Sequence, residues 1–239
     1  MPRIFTKQYT KNLASPDAPK FRLELVRSFF LSTPVGNYYR LDESSVTGAV
    51  YSHILELKKF EGIPEWLIDY SQEDLDIDLY PDAESQVEHL QELYGEPFII
   101  KTIGRFAYNN MQICKNGEEV DAKQIFGAYI DPEYANEGLG FEVYSLLIEE
   151  YGCLVSDDTQ SIAGSSFWAQ RLSVEFDVFT YDTVQRKVLE QFKLENDKFI
   201  YSIKPWSLEE PIDIKAISKI EHIPYSTEDK SHIVLFTQG

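Results

Sequence analysis

Cysteine is scarce in this chain: Cys114 and Cys153 are the only two in 239 residues, and they lie far apart in apolar, strand-like surroundings. With no Cys-x-x-Cys pair and no Cys/His cluster, a disulfide scaffold and a structural zinc site are both excluded. Both thiols are expected to be buried in a reducing cytoplasm. His53, His89, His222 and His232 are scattered, with no spacing that would gather a metal. No apolar run reaches the length of a membrane span, and Met1–Lys7 lacks the apolar stretch of a secretory signal. A nucleophile elbow, a Walker loop and a Rossmann fingerprint are all missing. Positive charge is the other shortage, with 22 Lys and Arg against 40 Asp and Glu and a net charge of −18. Such a field repels phosphate backbones and so disfavours direct nucleic-acid binding. It favours amines, polyamines and basic protein surfaces, and it also keeps a chain soluble.

The shortage is sharpest between Lys59 and Lys101, where no Lys or Arg occurs and twelve acids do. Inside that gap, Asp74-Leu-Asp-Ile-Asp-Leu-Tyr80 alternates strictly. Period two predicts a strand with Leu75, Ile77 and Leu79 inward and Asp74, Asp76 and Asp78 outward. That carboxylate row reads as a guarded sheet edge or as a docking strip for a basic partner, the edge reading being preferred. Pro81-Asp82 and Gly95 bracket a helix with Ala83, Val87, Leu90 and Tyr94 on one face. His89, among acids on that helix, is expected to be solvated.

Aromatic residues are plentiful: 15 Phe, 15 Tyr and three Trp argue for a sizeable core and permit a homodimer. Phe21–Leu31 reads as strand or helix, Tyr38–Asp42 as a short strand, and Val46–Phe60 as near-helical. Pro97–Ile103 and Phe106–Cys114 read as two strands, followed by a Lys115-Asn-Gly-Glu118 turn into a strand ending at Ile130. Phe176–Tyr181, Phe199–Ile203 and His232–Phe236 read as further strands, and Ile212–Ile220 as strand or short helix. The N-terminal fifteen residues and Pro205–Pro211 look linker-like. The fold class expected is α+β, with a mixed, mostly antiparallel central sheet and flanking helices.

The most informative stretch is Gly127-Ala-Tyr-Ile-Asp-Pro-Glu-Tyr-Ala-Asn-Glu-Gly-Leu-Gly140, followed by an amphipathic segment to Glu150. It reads as an apolar strand, a Pro-bearing loop, two glycines and a helix. Amides at a helix start have no intrahelical acceptors and, with the helix dipole, form an anion site that glycine lets a phosphate approach. A second unit follows, with Cys153-Leu-Val-Ser156 as a strand and Gly164–Leu172 as a helix. The arrangement resembles motif A of the GNAT acyltransferases, which cradle the pyrophosphate of acetyl-coenzyme A. The phrase from Ser156-Asp-Asp-Thr-Gln-Ser161 to Phe167-Trp-Ala-Gln-Arg-Leu172 resembles divergent GNAT-like proteins of bacteriophages. The resemblance covers about residues 97–182. It divides the chain into an N-terminal part or acidic cap (1–96), a GNAT-like core (97–182) and C-terminal strands that complete the sheet (183–239).

The resemblance implies cofactor contacts at Ile130, Asn136, Glu137, Gly138, Leu139, Gly140 and Ser161. It also exposes departures. Where the family pattern has Arg or Gln this chain has Ala135, and where it has a basic neighbour this chain has Glu137. At the position of the family's proton-donating tyrosine stands Trp168, whose indole N–H is a donor but no acid; core packing is the expected role. Tyr181, Tyr144 and Tyr151 are the nearby tyrosines that could substitute, and nothing in the spacing selects one; Tyr181 stands as the candidate catalytic tyrosine. Asp157 and Asp158, at the end of the second strand, are placed to meet an amine or to cap the helix that starts near Ser161, for which Gln160 and Ser161 are equally good capping residues. The expected function is transfer of an acetyl group from acetyl-coenzyme A to an amine on a small molecule or protein. The alternative is an inactive GNAT-fold protein that presses its acidic surface against a host protein, in the manner of a nucleic-acid mimic. Either implies a location in the cytoplasm, that of the host if the chain is phage-encoded.

Overall fold

The structure, a computed structural model, describes residues 3–5, 13–14, 21–33, 36–195, 198–200, 202–208, 225–226 and 232–239. The strands are β1 (Arg3–Phe5), β2 (Arg22–Ser32), β3 (Tyr38–Thr47), β4 (His53–Glu61), β5 (Ile99–Lys115), β6 (Glu118–Ile130) and β7 (Cys153–Val155). They continue with β8 (Thr159–Ser161), β9 (Val178–Asp182), β10 (Lys187–Glu195), β11 (Lys198–Ile200), β12 (Trp206–Leu208), β13 (Tyr225–Ser226) and β14 (Ile233–Gln238). The helices are α1 (Glu65–Glu73), α2 (Ala83–Tyr94), α3 (Leu139–Tyr151), α4 (Ile162–Phe167) and α5 (Ser173–Glu175), with a π-helical stretch at Trp168–Leu172 between the last two. The class is α+β with a mixed, mostly antiparallel sheet. Residues group into two compact units, one of Asn12–Ala107 with Ala128–Tyr134, the other of Met1–Lys11, Tyr108–Gly127 and Ala135–Gly239.

In the first unit β2, β3 and β4 form an antiparallel ladder with β4 beside β5. Phe21–Leu31 resolves as strand. Val46–Phe60 is not helical: β3 runs on to Thr47, Val46 N–H donates to Ser52 O, and the chain returns as β4 with Ser45 opposite His53. Gly48, at φ +93°, permits that return. Leu55 and Leu57, which suggested one face of a helix, lie fully buried on one face of β4. On the other face Phe60 joins Tyr38, Leu67, Val87, Leu90 and Phe98 in a core beneath α1 and α2.

The Asp82–Gly95 helix forms as expected, with Asp82 accepting from Ser85 N–H and Gly95 left-handed at its end. The expected strand at Asp74–Tyr80 does not form. Asp74 ends α1 by donating its N–H to Tyr70 O, and Asp76 closes a turn. The Asp76 carboxylate accepts from Asp78 N–H, and its carbonyl accepts from Leu79 and Tyr80 N–H. Aspartates bond their own backbone this way more readily than they line a strand, so the alternation carries no pleat, and the guarded-edge reading of those residues goes with it. Ile77 and Leu79 point to solvent. His89 is half-buried, its ring stacked on Tyr80 and its Nε2 within 3.2 Å of the Tyr70 hydroxyl, which corrects the solvated reading. α1 had no reading in the sequence.

The two strands read at Pro97–Cys114 are one, β5. Gly104 does not interrupt it; a Cβ there would meet the backbone oxygen of Tyr129 at 3.0 Å, so glycine permits a close strand approach. Asp42, nearly buried on β3, accepts from Ser28, Arg40 and Lys58. Burial opposes its ionisation, but the Lys58 and Ser28 hydrogen bonds and the Lys58 and Arg40 charges outweigh it and hold the carboxyl below its ordinary value.

In the second unit the sheet continues through β6, β7, β14, β9, β10 and β11. Asn116 and Gly117 both take positive φ in the β5–β6 turn, as the Asn-Gly signal predicts. Pairing is antiparallel except between β6 and β7, which are parallel because α3 crosses over between them. Ile113, Ala122, Cys153, Val155, Tyr181, Val234 and Phe236 form the core. Burial pushes the Cys153 thiol up to about 12, leaving it inert. A small parallel sheet in the order β13-β12-β1-β8 completes the unit. Pro205–Leu208 is thus partly strand. Ile212–Ile220 and most of the N-terminal fifteen residues lie outside the described residues, as does Tyr201 within the strand read at Phe199–Ile203.

Two outcomes follow from these contacts. Gly104→Ala should lower urea stability by about 1–3 kcal/mol, because the obstructing atom is backbone. Asp42→Asn should be less stable than the parent at neutral pH. The gap should close in urea titrations as pH falls below about 4, because a carboxyl with a depressed folded pKa stabilises above its unfolded value and loses that as it protonates.

Candidate functional site

α3 begins on Gly138, which holds φ +78° and supplies no side-chain cap. Its carbonyl takes the N–H of Phe141 at 2.9 Å and, at 3.4 Å, that of Glu142. A Cβ placed on Gly138 would meet no atom within 4 Å, so the turn opens onto free space. Leu139, Val143, Leu147 and Ile148 are buried and fix the helix in place. Asn136 and Glu137 are exposed in the preceding loop, and Ile130 is the half-buried last residue of β6. Gly138, Leu139 and Gly140 are therefore brought together in one turn.

The β6–β7 pair has only two rungs, Lys123 opposite Leu154 and Gln124 opposite Val155. β6 continues to Ile130, whereas the chain after β7 stays with β14, Ser156 N–H donating to Leu235 O and Ser156 Oγ accepting from Leu235 N–H. The Gln124 amide reaches across to Ser156 O at 3.3 Å. The rungs with β6 thus end at Val155, and Asp157 and Asp158 follow directly after β7.

Asp158 is exposed; Asp157 is half-buried and accepts from Thr159 N–H. Neither caps α4: Ser161 does, accepting from Gly164 N–H at 3.0 Å, so the hydroxyl read as a cofactor contact has a structural partner. Gln160, the other capping candidate, is buried and accepts from the Trp206 indole at 2.9 Å. Trp168 is buried, as expected.

Of the candidate tyrosines, Tyr181 and Tyr144 are both buried. Tyr181 is 1% exposed in the core, and its hydroxyl accepts from Cys114 N–H at 2.9 Å, an arrangement that satisfies a strand amide and leaves no path to a substrate. Tyr144 packs edge-on against Phe167 and Trp168 and lies within the field of Asp157. Burial, and then the Asp157 charge, push its hydroxyl well above the ordinary phenol value, so it stays protonated at neutral pH.

Sequence reasoning missed Arg171. It sits in the π-helical stretch, a feature frequent at functional sites, with its guanidinium 4.2 Å from the centre of the Phe141 ring in the first turn of α3. A cation therefore does stand beside this turn, although Ala135 and Glu137 occupy the usual basic positions. Nothing local in the sequence signals it, since it arrives from a different helix.

Among the described residues no group of three or more His, Cys, Asp or Glu could hold a metal ion, and no helix is long and apolar enough to cross a membrane. No protein-family model matches the chain, and neither the curated proteins nor the solved structures searched yield a match.

Tyr181→Phe should strand the Cys114 amide and cost about 1–3 kcal/mol in thermal or urea unfolding. If Tyr181 were instead a proton donor to substrate, the variant would keep its stability and lose turnover.

Proposed function

We propose that the chain is a GNAT-like acyltransferase that takes acetyl-coenzyme A at the start of α3 and passes the acetyl group to an amine. The observation that carries this reading is the glycine-led start of α3, without a side-chain cap and with open space at Gly138, after a crossover between two parallel strands. A helix start of this kind presents free N–H groups and roughly half a positive charge, which suits a diphosphate. Arg171 adds a full positive charge and offsets Glu137 and Glu142, the carboxylates nearest in sequence.

The chemistry asked of the site is modest. A neutral amine attacks the thioester carbonyl, the C–N bond forms, the C–S bond breaks, and the thiolate leaves. The amine gives up two protons in all, one before attack and one as the tetrahedral species collapses; one ends on the thiol and one in solvent. Asp157 and Asp158, directly after β7, attract and orient the ammonium form and relay its proton to water. The acidic field concentrates cationic acceptors at low salt.

Acetyl-coenzyme A at 100 times its dissociation constant should stabilise the protein by about 2.7 kcal/mol, read as a rise in melting temperature. Gly138→Asp, which sets a carboxylate before the amides, should abolish the rise while leaving the unliganded melting temperature within a few degrees. Absence of any rise at millimolar cofactor would overturn the proposal.

A further inference from the structure

The unit that holds α1 and α2 exposes apolar side chains where its charge is most one-sided. Ile77 and Leu79 are each 69% exposed and Leu93 is 47% exposed, all within the stretch that has no Lys or Arg. They are linked in space. The turn closed by Asp76 lays Tyr80 flat on His89 of α2, ring centres 4.1 Å apart, and Gln86 ties its side-chain amide to Tyr80 O at 3.1 Å. Leu93 stands one helical turn beyond His89 on the same face. The Tyr80–His89 stack thus ties the turn that carries exposed Leu79 to the helix that carries exposed Leu93, an apolar ridge. Beside it Glu88, Glu92 and Glu96 line an open cleft of about 560 Å³ with Gln91, Gly95 and Pro97.

This combination selects its occupant. Nucleic acid and anionic lipid are repelled by the carboxylates, and a second copy would set the same carboxylates against themselves. Glutamates spaced four apart on α2 repel one another along the helix, and a cationic partner relieves that repulsion. We propose that this ridge and cleft dock a Lys/Arg-rich amphipathic segment of another protein, its apolar side chains against Ile77, Leu79 and Leu93 and its cations over Glu88, Glu92 and Glu96. Helix-in-groove recognition of this kind needs only a few apolar anchors, with charge setting the choice of partner.

The probe is a synthetic Leu/Lys amphipathic helix of about 18 residues, titrated into the full chain by calorimetry. Two companion peptides replace Lys by Glu, or Leu by Ser. The Leu/Lys peptide should bind and should weaken by at least about tenfold between about 50 mM and about 300 mM salt. The other two should bind at least about tenfold more weakly. Leu79→Ser with Leu93→Ser, both at exposed positions, should cost about tenfold in affinity with circular dichroism unchanged, whereas Glu118→Gln with Glu149→Gln should cost less than about twofold. Equal binding of the Ser/Lys peptide would reduce the effect to bulk charge and overturn the proposal. So would unchanged affinity in the Leu79/Leu93 variant, or no binding of the Leu/Lys peptide at about 100 µM. Concentration-dependent dimerisation abolished by Leu93→Ser would assign the ridge to a second copy and equally overturn it. None of these outcomes bears on coenzyme A binding.

Discussion

The parallel crossover from β6 through α3 to β7 is the constraint from which the rest of the candidate site follows. Parallel strands cannot be joined by a tight turn, so a helix must return over the sheet, and its buried face of Leu139, Val143, Leu147 and Ile148 sets where its first turn points. α2 and α4 begin on Asp82 and Ser161, whose side chains satisfy their first amides. α3 begins on Gly138 and satisfies none that way. The two-rung β6–β7 pairing is followed by the Gln124 amide on Ser156 O, and Asp157 and Asp158 come next in the chain. Donors and carboxylates thus come from one local piece of topology.

Cations are few, which makes their placement informative. Arg27, Arg40, Lys58 and Arg105 answer Glu43, Asp42 and Glu56 on the sheet of the first unit. Lys123 lies over the Tyr151 ring and donates to Asn110. Arg171 is set on an aromatic ring beside a helix start rather than against a carboxylate among the described residues. Stacking on a ring leaves the outer edge of a guanidinium able to donate to an anion. No such cation stands in the α1–α2 stretch, where acids border exposed leucines.

Signals with a local physical cause were legible in the sequence. Asp82 and Gly95 bounded a helix, Asn116-Gly117 a hairpin, and the glycines at 138 and 140 a helix start, because each depends on its own backbone preference. Patterns open to two causes misled. Alternation at Asp74–Tyr80 arises from an Asx turn, and the near-helical spacing at Val46–Phe60 straddles a hairpin. The two strands read at Pro97–Ile103 and Phe106–Cys114 are one, and Gly104 between them marks a close approach to Tyr129. At the candidate site, the glycine turn and the aspartate pair were readable, whereas Arg171 over Phe141, the Asp157 charge acting on Tyr144, and the burial of Tyr181 were not. Those relations join residues many positions apart and exist only once α3, the π-helical stretch and the sheet are packed together.

The central claim is that the amides opening α3 are free to receive a diphosphate. Backbone ¹H–¹⁵N spectra of the labelled protein, recorded while coenzyme A is added, test it at the atoms concerned. The account predicts saturable shifts centred on Leu139 and Gly140, with the Arg171 side-chain resonance moving on the same curve. Saturation with those amides unmoved, or no shift anywhere at millimolar coenzyme A, would contradict it.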